Sequence, residues 1–409
     1  MAAHDGAAKH EGHDARHDGH GAGYDGRDAR HDGHGAGYGE AAKHDNHMTR
    51  RRFVKLGAVA GGTIMLAGLT ACGGPAPATP ATSASGRAAA SASASGAGSS
   101  QSQTASSASS AVRESSSAAT AAGAAPAVYF ARAVDPQALQ AVFDSLEAGL
   151  SGRVGVKLSS GEPGGNHYLK ADLISGLVKA VNGTIVECNT AYGGGRSTTQ
   201  AHYQVATDHG FTDIASFQIM DEDDSVSLPV EGGFHLSEDL VGAHFPEYDS
   251  YLVLSHFKGH QMAGFGGALK NISIGMASSE GKLLIHSAGQ NRTSWQSAAT
   301  PDFLESMADA CQAVLAAQPN MLFVNVMNNL SVDCDCDSNP APPKMADIGI
   351  LASADPVALD QACVDLVYAS TDDSADLIAR IESRDGQHVL EAAEALGIGS
   401  RAYELVEVS

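Results

Sequence analysis

His256, Lys258 and His260 alternate directly beyond an apolar run, YLVLS, and lead into the glycine-rich stretch GHQMAGFGGALKN, which ends in Lys270 and Asn271. Imidazoles serve metal ligation or proton transfer, and an amine serves as cation or nucleophile. Glycines let backbone amides approach an anion or a flat cofactor closely. The competing reading is a structural loop whose His and Lys face solvent. His286, after the apolar run KLLI, is placed to return to the same edge.

A second strand-like run, TIVEC, opens into NTAYGGGRSTTQAHY. Arg196 at the mouth of that loop suits a carboxylate or phosphate in a bidentate contact. With Asn271 and His202 it forms the candidate substrate-binding set, although His202 reads equally well as a helix-surface residue. The third constellation is VDCDCDSNPAPP, where Cys334 and Cys336 sit among Asp and Pro beyond a strand. A Cys-x-Cys pair grips one soft metal, or cycles between dithiol and disulfide, or is incidental; a disulfide this short is disfavoured by geometry. Together with His256 and His286 these thiols make the candidate metal set, with His260 and Lys270 as candidate catalytic groups. Iron, zinc, nickel or a larger metallocofactor would suit. The chain has no C-x-x-C-x-x-C run, so a self-contained ferredoxin-type cluster is not expected. Cys311 and Cys363 fall on apolar helical stripes and read as core, while Cys188, at a strand end, is undecided.

Positioning these groups requires an α/β fold. Apolar runs at 153–158, 184–188, 251–256, 321–327 and 347–352 alternate with helical patterns. Asp135-Pro136 and Asp355-Pro356 each set an N-cap before a proline. Near-continuous apolar strands predict largely parallel sheet flanked by helices, in one lobe or two, with sites beyond the strand C-termini. The stripe Leu169, Leu173, Leu177 and Val181 predicts one of the helices.

This folded unit is expected at 127–409. Residues 1–47 carry nine His in a Gly/Asp/Ala background, and DARHDGHGAGY occurs at both 14–24 and 28–38, a pattern that cannot bury a core. That stretch reads as a disordered extension or as sequence upstream of a working start at Met48. Residues 48–72, MTRRRFVKLG followed by a short apolar run and LTAC, resemble a twin-arginine export signal with a lipobox. Cys72 would then be acylated, and residues 73–126, almost entirely Ser, Ala, Gly and Thr, would be a flexible tether. The expectation is an exported protein at the outer face of the cytoplasmic membrane, in contact with the twin-arginine machinery and with the membrane only through its lipid.

Lys and Arg number 25 against 47 Asp and Glu, a formal net charge of -22, which excludes a nucleic-acid binder. The acidic run Asp221 to Asp224 reads as a solvated loop, with a weak hard-cation site as the minor alternative.

NTAYGGGR with His202, HFKGHQMAGFGGALKN, and VNVMNNLSVDCDC followed by DIGILASADPVALDQACVDLV resemble the domain-of-unknown-function family 362, whose members are often labelled iron-sulfur-centre proteins. The resemblance implies a family without an established reaction. HQMAGFGGALKN and then His286 are also distantly similar to the lactate racemase family. That similarity implies Lys270 as the tether of a nickel-pincer nucleotide, His286 as nickel ligand and His260 as acid/base. The upstream loop departs from that family, with Gly195 before Arg196 where the family has His before Arg. The combined expectation is an exported lipoprotein with a metal or metallocofactor site, an oxidoreductase or isomerase acting on a small anionic substrate. A tethered protein that binds metal or ligand without turnover is the alternative.

Overall fold

The computed structural model describes residues 124–409. The 1–47 extension, the export signal with Cys72, and nearly all of the Ser/Ala-rich stretch lie outside the described residues.

The strands are β1 (Ala127–Ala131), β2 (Val154–Lys157), β3 (Thr184–Glu187), β4 (Phe217–Ile219), β5 (Ser225–Pro229), β6 (Glu238–Gly242), β7 (Ser250–His256), β8 (Lys258–His260), β9 (Gly264–Gly266), β10 (Met321–Met327), β11 (Gly349–Ser353) and β12 (Glu404–Glu407). The helices are α1 (Pro136–Asp144), α2 (Ala171–Ala180), α3 (Thr199–Asp208), α4 (Ala268–Ile272), α5 (Ser279–His286), α6 (Thr300–Ala317), α7 (Pro356–Ala369), α8 (Ala375–Ser383) and α9 (His388–Ala395).

Eight strands form one sheet in the order β12-β1-β11-β10-β7-β2-β3-β4. Only β11 runs antiparallel to its neighbours, β1 and β10; every other pairing is parallel. The α/β class with a largely parallel sheet is therefore the fold, and all five expected runs are strands of it. Both faces are covered, as parallel sheets require. Along β7, Tyr251 and Val253 enter one apolar cluster while Leu252 and Leu254 enter the other.

Local chemistry sets the helix starts. The Asp135 carboxylate accepts the amide of Ala138 at 2.8 Å, and Asp355 accepts those of Val357 and Ala358 at 2.9 Å, each with Pro at the first helical position. α2 differs slightly from its expected stripe. Its buried face is Ile174, Leu177 and Val178, while Leu169 is buried just before the helix and Leu173 only partly. The segment beyond β7, expected as a loop, folds into the small hairpin β8/β9. The acidic run is not simply solvated, because Asp221 accepts the amides of Asn189 at 2.8 Å and Ser279 at 3.0 Å. Among the described residues no helix is long and apolar enough to cross a membrane.

Candidate functional site

Lys157, Glu187 and His256 are the last residues of the neighbouring parallel strands β2, β3 and β7. The sheet thus delivers three ionisable side chains to its carboxyl edge, where loops leave a crevice. A cavity of about 720 Å³ opens there. Its wall includes Arg196, Lys258, His260, Lys270, Asn271, Lys282, His286, Trp295, Cys334 and Cys336.

Lys270 is presented by a tightly held turn. Asp360 of α7 accepts the amides of Ala268 at 2.8 Å and Leu269 at 2.9 Å, and Asn325 of β10 braces the same carboxylate at 2.6 Å. A β-carbon at Gly267 would collide with the Asp360 carboxylate, so this position requires glycine. The half-buried Lys270 lines the cavity, and its amine makes no hydrogen bond or ion pair among the described residues. Burial first, then the charges of Lys258, Lys282 and Lys157, lower its amine to about 7.

The other cations divide into two groups. Arg196 is buried against Glu162 at 2.9 Å and Glu187 at 3.4 Å, and also donates to Ser159 and Tyr192. Lys258 pairs with Asp335 at 2.9 Å. Lys157 and Lys282 have no carboxylate within ion-pair distance among the described residues. Lys157 donates to the Leu158 carbonyl and to Asn271 Oδ1, and burial lowers it to about 8; Lys282 donates to the Ala277 carbonyl. Three amines thus converge on one cavity without an ion-paired carboxylate among the described residues, although the Glu187 charge acts on Lys157 from a distance.

The histidines differ in what their nitrogens hold. His256 Nδ1 faces Asp335 at 2.9 Å and Nε2 faces the Asn328 carbonyl at 2.7 Å. Both partners are hydrogen-bond acceptors that already occupy the two nitrogens, so neither is free to turn to a metal. His260 Nδ1 accepts the amides of Met262 at 3.2 Å and Ala263 at 3.0 Å, which leaves the proton of the neutral ring on Nε2. Burial, then Lys270 and His286, keep that ring neutral, well below the usual imidazole range. His286 is the opposite tautomer. Its Nδ1 donates to the Lys282 carbonyl at 2.6 Å, leaving the Nε2 lone pair, and burial lowers it to about 4. Phe303 and Trp295 flank its ring at 4.8 and 4.7 Å between centroids.

Cys334 and Cys336 are joined in a disulfide, and His260 lies within 4.8 Å of both sulfurs. Disulfide sulfur lacks the thiolate charge that makes Cys a metal ligand. A metal ligated as expected by His256, His286, Cys334 and Cys336 thus finds only His286 with a ready lone pair; the thiols fit a metal only when reduced. Two further expectations change. His202 does not line the cavity; it is fully buried behind Glu187, with Nδ1 3.4 Å from Asn189 Oδ1. Arg196 reaches the cavity but its guanidinium is already held by carboxylates, and Asn271 is committed to Lys157, Leu254 and Ser255. These residues position the wall. Cys188 lines it as a thiol pushed up to about 12 by burial and donates to the Met276 carbonyl. Cys311 and Cys363 are core residues.

Sequence reasoning missed Lys157, Glu162, Lys282 and Trp295. Lys157 and Glu187 had a signal, a charged residue closing an apolar strand. Lys282 had none, because a lysine within a helical run reads as surface.

Residues 154–365 match the family described as Domain of unknown function (DUF362). The chain belongs to that family. The DUF362 match spans every cavity residue named above, from Lys157 to Cys336. No curated protein matches the sequence. Among solved structures the chain is similar to the lactate racemase apoprotein from Thermoanaerobacterium thermosaccharolyticum, at 13% identity and TM-score 0.35, over 68% of this chain and 82% of that one. It is similar also to a structural-genomics target protein from Thermotoga maritima, at 13% identity and TM-score 0.35, over 57% of this chain and 58% of that one. No residue role is transferred from either.

Proposed function

We propose that the chain is an exported, lipid-anchored enzyme that holds a small organic anion in the cavity and isomerises or oxidises it. The observation that carries this reading is Lys270, an unpaired amine at about 7 beside two further amines without carboxylate partners. Taking ammonium groups out of water is unfavourable unless an anion joins them, so the cavity is a receptor waiting for negative charge. A carboxylate or phosphate would meet Lys157 and Lys282. Near neutral pH a large fraction of Lys270 is the free amine, ready to attack a carbonyl carbon or to hold a cofactor covalently. The Nε2 lone pair of His286 accepts a proton, and Nε2–H of His260 donates a hydrogen bond to developing negative charge. Wrong tautomers at either ring would break this division of labour.

The donor set fits a metal in part: the two thiols, beside His260, would ligate when reduced, and the Nε2 lone pair of His286 offers a separate imidazole ligand on the same cavity. A bound metal or metallocofactor would supply Lewis acidity or an electron sink. Elemental analysis with intact mass on protein purified without added metal or chelator tests both layers. Stoichiometric iron, zinc or nickel, or added mass on the Lys270 peptide, supports a metallocofactor enzyme. A metal-free, unmodified polypeptide whose cavity also fails to bind phosphate or small carboxylates would overturn the reading. Anion binding that survives Lys270→Met without any turnover would select the non-catalytic ligand-binding alternative.

A further inference from the structure

We infer that Cys334 and Cys336 form a thiol–disulfide exchange site whose substrate is a small thiol carrying negative charge. The inference rests on the anion-receptor reading of the cavity for its charge selectivity, but on separate atoms for its chemistry.

Both sulfurs belong to the cavity wall, yet they are unequal. Cys334 is buried and Cys336 only partly so. The amide of Cys336 points at Cys334 Sγ at 3.4 Å. His260, within 4.8 Å of both sulfurs, has Nδ1 occupied by two backbone amides and so keeps its proton on Nε2, where it serves as a hydrogen-bond donor and not as a metal ligand. The amide donor therefore sits at the inner sulfur, His260 stands near both, and the outer sulfur is the more exposed to attack. The three neighbouring aspartates do not oppose an arriving thiolate equally. Asp335 is turned to His256 and Lys258, and Asp333 is held by Arg380 at 3.2 Å; Asp337 accepts the amide of Asn339. On the cavity side the unpaired amines Lys157, Lys270 and Lys282 attract an anionic thiol.

The exchange balances as follows. An external thiolate attacks Cys336 Sγ, forming the Cys336–thiol mixed disulfide and breaking the Cys334–Cys336 bond. The electron pair leaves on Cys334, towards which the Cys336 amide points, with the His260 ring within 4.8 Å. A second thiolate attacks the external sulfur of the mixed disulfide, releasing the oxidised external disulfide and leaving Cys336 as thiolate. Two external thiols are oxidised and one protein disulfide is reduced, with solvent supplying the protons.

The test uses the full chain, oxidised, with glutathione as the anionic thiol and β-mercaptoethanol as the neutral one, followed by alkylation and mass mapping of the peptide holding both cysteines. Glutathione is expected to reduce the pair at least tenfold faster than the neutral thiol at equal thiolate concentration. Lys282→Met should erase that preference. With glutathione disulfide as probe, Cys334→Ser should accumulate a glutathione adduct on Cys336, and Cys336→Ser should accumulate several-fold less on Cys334. His260→Gln, folded by circular dichroism, should slow reduction by both thiols alike. A pair that neither thiol reduces, or adducts equal on the two cysteines, would overturn the exchange site even if phosphate still binds. Equal rates for the two thiols with a preserved Cys336 adduct would instead overturn the anionic substrate, and the receptor reading would fall with it only if phosphate also fails to bind.

Discussion

The Asp360 carboxylate and Nδ2 of Asn325 meet at 2.6 Å in a fully buried contact between α7 and β10. Through its bonds to the Ala268 and Leu269 amides the same carboxylate fixes the turn that carries Lys270, so the amine is aimed from the far side of the core.

Asp360→Ala strands three buried donors. It should destabilise the protein by about 3 kcal/mol, read as a lowered urea midpoint. Lys270 labelling should lose its site-specific rate in the same variant. Burial raises the Asp360 carboxyl to about 6. Its contribution to stability is therefore greatest below the unfolded carboxyl value and declines as pH rises through 6.

Lys270 should stand apart from surface lysines when acylated. With an amine at about 7, its labelling rate should rise through pH 7 and flatten above about 8, whereas surface lysines keep rising towards about 10. Saturating phosphate should shift the midpoint upward, because a bound anion favours the ammonium. Peptide mapping after brief acylation across a pH series checks both; a midpoint near 10 would place Lys270 among ordinary amines.

Arg196→Met should act on folding more than on ligand affinity. It leaves Glu162 and Glu187 buried without their partner, at a cost of about 3–5 kcal/mol. Arg196→Met with Glu187→Gln should recover part of that loss. Denaturant unfolding of both single variants and the double variant provides the comparison, and additivity of the single effects would deny the coupling.

Acid should weaken the site before the rest of the fold. Burial would raise Asp335 and Glu187, but His256 and Lys258 for the first, and His202, Arg196 and Lys157 for the second, outweigh it and hold both well below the usual carboxylate range. For a depressed carboxyl the stabilisation is present above the unfolded value of about 4 and is lost as pH falls below it. Unfolding free energy should therefore drop as pH descends from about 5, and Asp335→Asn should make that slope shallower in thermal melts.

Local chemistry in the chain was enough to read the strands that carry the site and the Asp-Pro helix starts. Apolar runs and caps act over a few residues, and the glycine-rich segments before Arg196 and Lys270 had to be turns because only glycine permits that approach. The hairpin β8/β9 was hidden because its alternation, Lys258 to His260, is ionisable instead of apolar. The roles of single side chains depended on contacts far apart in sequence. Arg196 became a structural cation only when folding brought Glu162 and Glu187 to it. His256 was taken up by Asp335 on one nitrogen and the Asn328 carbonyl on the other. Lys282, silent in the sequence, joined Lys157 and Lys270 because α5 packs beside the carboxyl edge of the sheet.

What the sequence determined by itself was the α/β class, the loops that hold chemistry and the residue types in them, since these follow from periodicity, glycine conformational freedom and charge. The tertiary structure alone decided which amines lack an ion-pair partner, which imidazole nitrogen keeps its proton and which of the two sulfurs is the more exposed. Those properties arise from burial and from hydrogen bonds between segments far apart in the chain, such as Lys157 to Asn271, separated by 114 positions. No local pattern encodes them.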